Sequence, residues 1–291
     1  MTEHAPQRPA PSERSPHRHI SFTAHYTGYV WHQLGWSHPA LLTAKGARLG
    51  RWLGPVERWM VRRTGHSITT TLRARHTLID REIERLIAAH PDLQVLELAA
   101  GLSPRGWRFK QRHPQLVYVE ADLPQMAQTK QQALAQISDP VPEVVPLDVF
   151  TAQFEQVLGH FDPQRPLLIV SEGLVNYFDL TLLAQLWQRL ATGLQGFAQG
   201  FYITDLYARP VTHPRARLIL STARLLKYVS RSAFAYHYES PAEVEAALQQ
   251  AGFQRVQVFQ PSDADHPEQR AHQGDLVWVI RAERQATGSS G

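Results

Sequence analysis

Apolar residues follow two different patterns along this chain of 291 residues. From about residue 91 onward, short apolar runs are each followed by turn residues and then by a stretch with helical spacing. This alternation is typical of βα units around a mostly parallel, twisted sheet with helices on both faces, which is an α/β fold. The predicted strands are residues 95–98, 116–120, 143–147, 167–170, 200–204, 255–259 and 275–280, and the predicted helices are residues 104–111, 124–137, 154–158, 181–191 and 241–251.

The segment before residue 91 lacks this alternation and is rich in aromatic side chains. Apolar residues recur at 3.6-residue spacing in residues 69–89, which predicts a long helix there. The preceding aromatic stretch, which includes Trp52 and Trp59, predicts a packed helical segment. Helix breaks are expected at Gly35, Pro39, Gly54 and Pro55.

These patterns divide the chain into a core and its additions. Residues 1–20 and 285–291 have few side chains to bury, and we predict disordered tails there. Residues 21–90 form the predicted N-terminal helical lid. Residues 91–284 form the predicted core, interrupted by a helical, Arg-rich insertion at about 206–240.

Composition narrows the chemistry that the chain can perform. The absence of cysteine excludes disulfides, thiolate nucleophiles and sulfur-based zinc sites. The net charge is +4, but Arg and His are concentrated before residue 85 and form no dense Lys/Arg stripe, which disfavours nucleic acid as a partner. Fifteen histidines include no H-E-x-x-H pair, so no metal is expected. Without an apolar run of about 18 residues or a signal peptide, we expect a cytoplasmic protein with no membrane contact.

Four acidic residues fall at the ends of successive predicted strands. Glu97 lies at the end of the first strand, and Asp122, Asp148 and Glu172 lie just past the next three. Because ligands of doubly wound sheets bind outside the carboxyl ends of the strands, these side chains are expected to converge on one pocket. Any one of them alone is more typical of a helix cap or a solvated loop, but four in succession favour a site.

The turn after the first strand resembles a nucleotide-binding loop without its phosphate cradle. The three positions of a G-x-G-x-x-G pattern are occupied by Ala99, Gly101 and Pro104. The spacing to Asp122 is near the roughly 20 residues expected for a carboxylate that binds ribose hydroxyls. A ligand with a ribose, no phosphate and a positive charge fits this pocket, and S-adenosylmethionine is such a ligand.

Three motifs together resemble the leucine carboxyl methyltransferase superfamily, which includes bacterial O-methyltransferases associated with polyketide biosynthesis. They are L-E-L-A-A-G-L-S-P-R-G at 96–106, Y-V-E-A-D-L-P at 118–124 with Lys130 in the next helix, and S-E-G-L-V-N-Y-F at 171–178. The resemblance spans about residues 75–204 in the order and spacing of its elements. It implies a Rossmann-like class I methyltransferase fold and transfer of a methyl group from S-adenosylmethionine to an oxygen atom.

The resemblance also implies a set of cofactor-binding residues. Arg75 matches the arginine that holds the methionine carboxylate, and Glu172 matches the acid that reaches the amino group. Ala99 and Gly101 match the loop beneath the cofactor, although the family usually has glycine at the position of Ala99. The remaining implied contacts are Glu97 at the strand end, Asp122 on the ribose hydroxyls, and Asp148 with Val149 beside the adenine.

The methyl acceptor is less constrained by the sequence. Arg105, Tyr177, Tyr207 and His237 are candidate substrate contacts because they lie in loops or in the insertion that should cover the pocket, although packing or solvation explains each of them as well. We expect the acceptor to be a carboxylate or hydroxyl of a small molecule. Two alternatives stay open: a protein C-terminal carboxyl methyltransferase, and a non-catalytic adenosyl-ligand or RNA-binding module. Pro104 and the acidic pocket disfavour a nicotinamide oxidoreductase.

Overall fold

Seven strands form one twisted, mostly parallel sheet in the computed structural model, which describes residues 20–64, 68–209, 234–259 and 277–285. The strand order is β3-β2-β1-β4-β5-β7-β6, and only β7 runs antiparallel to its neighbours. This order confirms the predicted α/β fold. The strands are β1 (Gln94–Leu98), β2 (Val117–Asp122), β3 (Glu143–Pro146), β4 (Leu167–Ser171), β5 (Gln199–Tyr207), β6 (Arg255–Phe259) and β7 (Val277–Gln285).

Helices cover both faces of this sheet. Helices α3, α4 and α5 pack on one face, and α6, α7 and α8 pack on the other. Short 3₁₀ turns lie at Pro39–Leu41 and Val175–Tyr177. The helices are α1 (Ile20–Gln33), α2 (Ala44–Thr64), α3 (Ile68–Ala89), α4 (Arg105–Arg112), α5 (Pro124–Leu134), α6 (Gln153–Leu158), α7 (Leu180–Leu194) and α8 (Pro241–Ala251).

The core strands are buried on both faces because each face is covered by helices. All five positions of β1 and all five of β4 are buried. Their side chains alternate between the two helical layers: Leu96 packs with the α7 layer and Val95 with the α3 layer. The same alternation decides which strand residues can reach a site at the sheet edge.

The predicted strand boundaries differ most from the observed ones in the antiparallel pair β5 and β7. Strands β5 and β7 are each 9 residues long, which exceeds the predicted 200–204 and 275–280. Their extra residues are polar in β7, where the sequence is R-A-E-R-Q at 281–285. The β5–β7 ladder satisfies these backbone groups along its whole length, so the strand does not need an apolar pattern there.

The N-terminal region is helical, but two predictions about it are wrong. Helix α2 continues through Gly54 and Pro55, where a break was expected. Trp52 and Trp59 are exposed, whereas a packed position was expected for both. Gly35, with φ of 70°, ends α1 as predicted.

The division into tails, lid and core stays a prediction. The predicted tails and most of the insertion at 206–240 lie outside the described residues. The start of that insertion is in fact strand, because β5 continues to Tyr207. Of the helices in the described ranges, none combines the length and apolar character needed to cross a bilayer.

Candidate functional site

Strand register places five acidic side chains on one face of the sheet, at or near its carboxyl edge. In β1 and β2, Glu97 is directly opposite Glu120, so Asp122 shares their face. Ser171 of β4 is opposite Thr204 of β5, which places Glu172 and Asp205 on a common face. Glu97 of β1 is also opposite Val170 of β4, two residues before Glu172. The acidic side chains of β1 and β2 therefore lie on the same face of the sheet as Glu172 and Asp205. Asp122 and Glu172 are thus separated by about 10 Å of sheet, on opposite sides of β1.

The loop after β1 has an unusual backbone that brings it against Asp122. Ala99 and Gly101 both have φ of 51°, in the left-handed region that alanine rarely adopts. The backbone N–H of Gly101 donates to Oδ2 of Asp122 at 2.7 Å, and that of Leu123 donates to Oδ1 at 2.7 Å. Burial raises the pKa of Asp122, and these two backbone hydrogen bonds oppose the rise. The loop after β1 is therefore tied to the end of the neighbouring strand β2.

A fully buried arginine joins two of these acidic side chains to a third carboxylate, Asp80 of α3. The guanidinium of Arg105, 0% exposed, donates to Asp80 Oδ1 at 2.8 Å, Glu97 Oε1 at 2.7 Å and Glu172 Oε2 at 2.5 Å. Glu97 also accepts a hydrogen bond of 2.6 Å from the hydroxyl of Tyr118. Arg105 is therefore the centre of a buried ion-pair network that connects α3, α4, β1 and the end of β4.

A second buried arginine meets the same network from its other side. Arg75 Nε donates to Glu172 Oε1 at 2.8 Å, and its Nη1 donates to Asp205 Oδ2 at 3.2 Å. The backbone N–H of Gly173 donates to the other oxygen of Asp205 at 2.6 Å. The hydroxyl of Tyr207 lies 3.4 Å from Arg75 Nη1. Arg75 thus lies directly beside the turn that follows β4.

The charges of this network keep Glu172 ionised. Burial by itself would raise the pKa of Glu172, but Arg105, His76 and Arg75 together hold it well below its usual value. His76 Nδ1 is 2.8 Å from Glu172 Oε2. At neutral pH the carboxylate of Glu172 is therefore a fixed negative charge at the carboxyl edge of the sheet.

Comparison with known proteins identifies the family at this point. A family model described as leucine carboxyl methyltransferase matches residues 41–191, which is more than half of the chain. The chain belongs to the leucine carboxyl methyltransferase family. The resemblance inferred from the three sequence motifs is thereby confirmed. Comparison with curated proteins finds no match.

Solved structures with a similar fold include proteins described as methyltransferases. A putative methyltransferase from Thermobifida fusca is 16% identical with a TM-score of 0.59, over 94% of this chain and 100% of that one. A putative O-methyltransferase from Nostoc punctiforme is 17% identical with a TM-score of 0.49, over 75% of this chain and 61% of that one. A structure described as PigF with SAH is 15% identical with a TM-score of 0.47, over 68% of this chain and only 51% of that one. At these identities the likeness shows the fold alone.

Arg105 and Glu97 are both enclosed by other side chains in the structure. Arg105 was a candidate substrate contact, but its guanidinium is enclosed by three carboxylates and has no exposed surface. Glu97, expected to contact the cofactor, is 1% exposed and is bound by Arg105 and Tyr118. Glu97 lies on the sheet face that α3 and α4 cover, and Arg105 is the first residue of α4 and contacts Glu97 there. Contact of Arg105 with a substrate and of Glu97 with the cofactor stays a prediction.

The structure places the residues expected beside adenine in the turn after β3. Asp148 is partly exposed, and its Oδ1 accepts a hydrogen bond of 3.0 Å from the backbone N–H of Phe150. Val149 is partly buried against the core of the α7 layer. The turn lies at the same carboxyl edge as Asp122, since β3 pairs in parallel with β2. Their contact with a nucleoside stays a prediction.

Two candidate substrate contacts come together, and a third lies nearby. The rings of Tyr177 and Tyr207 each meet the ring of Phe234 edge-on, with centroid distances of 5.6 and 5.4 Å. The hydroxyl of Tyr177 lies 3.3 Å from Thr23 Oγ1 in α1. His237 Nε2 is 2.6 Å from the backbone oxygen of Phe178. This aromatic cluster lies between the ends of β4 and β5, next to Arg75.

Asp205, His76 and Asp80 are members of the network that the sequence analysis missed. Asp205 follows the predicted fifth strand directly, so the strand-end pattern that identified the other acids would have identified it too. His76 and Asp80 are four residues apart on α3, with no feature in the sequence that distinguishes them from solvated helix residues. No group of three His, Asp or Glu side chains within the described ranges could hold a metal ion.

An open groove lies outside this site, between α3 and α4. Its volume is about 630 Å³, and it is lined by Trp36, Thr77, Asp80, Arg81, Glu84, Arg85, Arg108 and Arg112. None of the residues that line it belongs to the loop after β1 or to the turn after β4. The chemistry implied by the family is therefore expected at the sheet edge and not in this groove.

Proposed function

We propose that this chain binds S-adenosylmethionine and transfers its methyl group to an oxygen atom of a small molecule, either a carboxylate or a hydroxyl. The observation that supports this most directly is the ion pair between Arg75 and Glu172 at 2.8 Å, at the turn after β4. The methionine part of the cofactor carries a carboxylate and an ammonium group. A buried cation and a buried anion in contact have the complementary charges for these two groups.

The residues at the sheet edge also fit the ribose of the cofactor and its lack of phosphate. Asp122 is held in place by two backbone hydrogen bonds, and its carboxylate can still accept bonds from ribose hydroxyls, because each oxygen has two lone pairs. The left-handed turn at Ala99 and Gly101 leaves little side-chain bulk between the loop and Asp122. No cluster of basic side chains lies among the described residues of this loop, as expected for a cofactor without phosphate.

The proposed reaction leaves a limited task to the protein. S-adenosylmethionine supplies an activated methyl carbon that an in-line nucleophile displaces from sulfur. The chain has to bind both partners in line and to exclude water. Tyr177, Tyr207 and Phe234 provide an aromatic surface beside Arg75 that suits the body of a small, partly apolar acceptor. A carboxylate acceptor needs no base, whereas a hydroxyl acceptor must also lose its proton.

Binding of the cofactor is tested by calorimetric titration of the full chain with S-adenosylhomocysteine. We expect Asp122→Asn and Glu172→Gln to weaken this binding at least about tenfold, because each removes a charged acceptor of a hydrogen bond. Asp139→Asn, the same chemical change at an exposed position, should leave it unchanged. Binding of NAD in place of S-adenosylhomocysteine would contradict the proposal.

Methyl transfer is tested with S-adenosylmethionine carrying a labelled methyl group. Candidate acceptors are small aromatic acids, phenols, and peptides that end in leucine. Mild base separates the products, because it hydrolyses a methyl ester and leaves a methyl ether intact. Transfer to the peptide alone would instead favour the protein C-terminal carboxyl methyltransferase. Tight binding of RNA with steep salt dependence and no turnover would favour the non-catalytic alternative.

A further inference from the structure

Helix α2 exposes large apolar side chains to solvent. Trp52 is 85% exposed, Trp59 60% and Leu53 36%. Within the described part of the chain only one other large apolar side chain, Leu180, is exposed. Single exposed apolar residues are ordinary, but two exposed tryptophans on one helix indicate an interaction surface. Leu53 lies about 100° from Trp52 around the helix and is not part of that surface.

The packing of α2 explains why this side faces outward. A Cβ atom on Gly46 would lie 2.4 Å from the backbone oxygen of His25, and one on Gly50 would lie 2.2 Å from the ring of Tyr29. The glycine side of α2 is therefore pressed against α1. At 100° per residue, Trp52 and Trp59 lie about 120–180° away from these glycines around the helix. Both tryptophans consequently project from the same outer side.

The exposed charge of α2 has a single sign. The exposed basic side chains are Lys45, Arg48, Arg51, Arg58 and Arg62. The single acidic residue of the helix, Glu57, faces the protein, where it accepts a hydrogen bond of 2.7 Å from Thr69 Oγ1. Burial, together with the neighbouring charge of Glu57, raises the pKa of Tyr26 in α1. The outer surface of α2 is therefore both cationic and aromatic.

We propose that the outer side of α2 docks on an anionic lipid membrane, with the helix axis parallel to the plane of the bilayer. Tryptophan rings enter the region between headgroups and acyl chains, and arginine and lysine side chains bind acidic headgroups. Trp52 and Trp59 are two turns apart, about 10 Å along the axis, so both reach the bilayer when the helix lies flat. The absence of a long apolar run in the sequence bears on membrane crossing and not on binding to a membrane surface.

Charge and composition favour a membrane over the other occupants of this surface. Residues 210–233 contain five Arg and Lys and no acid, so they would repel α2. Residues 260–276 are acidic but contain no aromatic residue to cover the tryptophans. Single-stranded nucleic acid is usually bound in a concave basic groove, whereas α2 is a convex helix.

Co-sedimentation of the full chain with vesicles tests this proposal. We expect binding to vesicles with about one-third phosphatidylserine in phosphatidylcholine, weak binding to pure phosphatidylcholine, and loss of binding at high salt. The double variant Trp52→Ala/Trp59→Ala should bind at least about tenfold more weakly. Leu180→Ala, which removes an exposed leucine from α7, should bind like the parent protein.

Two double variants with the same net charge separate the effect of the charges on α2 from the effect of the net charge of the protein. Arg51→Gln/Arg58→Gln should lower vesicle binding several-fold, whereas Arg209→Gln/Arg255→Gln, which lowers the net charge equally, should not. Equal losses in both variants would overturn the proposal, because they would show only general attraction of a basic protein. Circular dichroism of each variant checks that it is folded.

Three further results would overturn the membrane assignment. The first is no binding to anionic vesicles at low salt. The second is loss of a dimer in Trp52→Ala/Trp59→Ala by analytical ultracentrifugation, which would make this surface a contact between two copies of the chain. The third is binding of RNA, but not of vesicles, that depends on Arg51 and Arg58.

Discussion

Replacement of Arg105 by leucine tests whether the buried network holds the sheet edge together. Arg105 is the shared partner of Asp80, Glu97 and Glu172. After its removal, Asp80 still has Arg108 at 3.1 Å and Glu172 still has Arg75 at 2.8 Å. Glu97 retains only the neutral hydroxyl of Tyr118. The main loss of stability therefore comes from the buried carboxylate of Glu97, which has no cation left beside it.

The size of this effect follows from measured losses of single partners in buried ion pairs. Such losses cost about 3–5 kcal/mol, which is at least about a fifth of the 5–15 kcal/mol that stabilises a typical domain. Arg105→Leu should accordingly unfold at much lower urea concentration at pH 7. Arg108→Leu is the control, because Arg108 is partly exposed and Asp80 keeps its ion pair with Arg105; it should cost about 1 kcal/mol or less.

A compensating substitution identifies the carboxylate responsible. In the double variant Arg105→Leu/Glu97→Gln the orphaned charge is absent, so we expect recovery of at least about 2 kcal/mol of the free energy of unfolding. Urea titrations followed by circular dichroism provide the measurement. A loss below about 1 kcal/mol in Arg105→Leu, or no recovery in the double variant, would refute the assignment of Arg105 as the centre of the network.

The pH dependence provides a second measurement on the same variants. The pKa of Glu172 is lowered in the folded protein, with Arg105 as the first of the cations that overcome the effect of burial. A lowered folded pKa contributes stability above the unfolded value of about 4.3 and loses it on acidification. The difference in stability between the parent and Arg105→Leu should therefore be complete above about pH 5 and narrow below about pH 4. A difference that grows on acidification would contradict this.

Three further substitutions test local features of the fold. Ala99→Gly relieves the left-handed φ of 51° but makes the unfolded chain more flexible, so thermal unfolding should show a gain of between zero and about 1 kcal/mol; a loss would contradict the strain. Lys130→Met leaves Glu120 buried without its cation at 2.7 Å and should cost about 3 kcal/mol or more, whereas adding Glu120→Gln should restore most of it in urea titrations. Since burial raises the pKa of Glu120 to about 7, the loss in Lys130→Met should grow as the pH rises through neutrality, and a pH-independent loss would contradict this. Asp179→Ala removes the N-cap bond of 2.8 Å to the backbone N–H of Leu182 and should lower stability by about 1 kcal/mol, with Asp179→Ser close to the parent protein; equal effects of both variants would exclude a capping role.

The sequence by itself determined the order of strands and helices and the strand-end position of the acidic residues. Both depend on local information: apolar runs specify buried parallel strands, and the alternation of side chains fixes which residues share a face. The motifs also determined the family. They placed Asp122 and Glu172 on one face at one edge of the sheet, as the register confirms.

Only the tertiary structure decided which charges face each other. Arg105 meets Glu172 across 67 residues of sequence, and Arg75 meets Asp205 across 130. Neither pairing leaves a local signal, because the chain must fold before the partners are near each other. The same holds for burial: Trp31 and Trp52 both lie in helical, aromatic sequence, yet Trp31 is 2% exposed and Trp52 is 85% exposed. Which side of α2 contacts α1 is set by close packing at its glycines, and that contact exists only between folded helices.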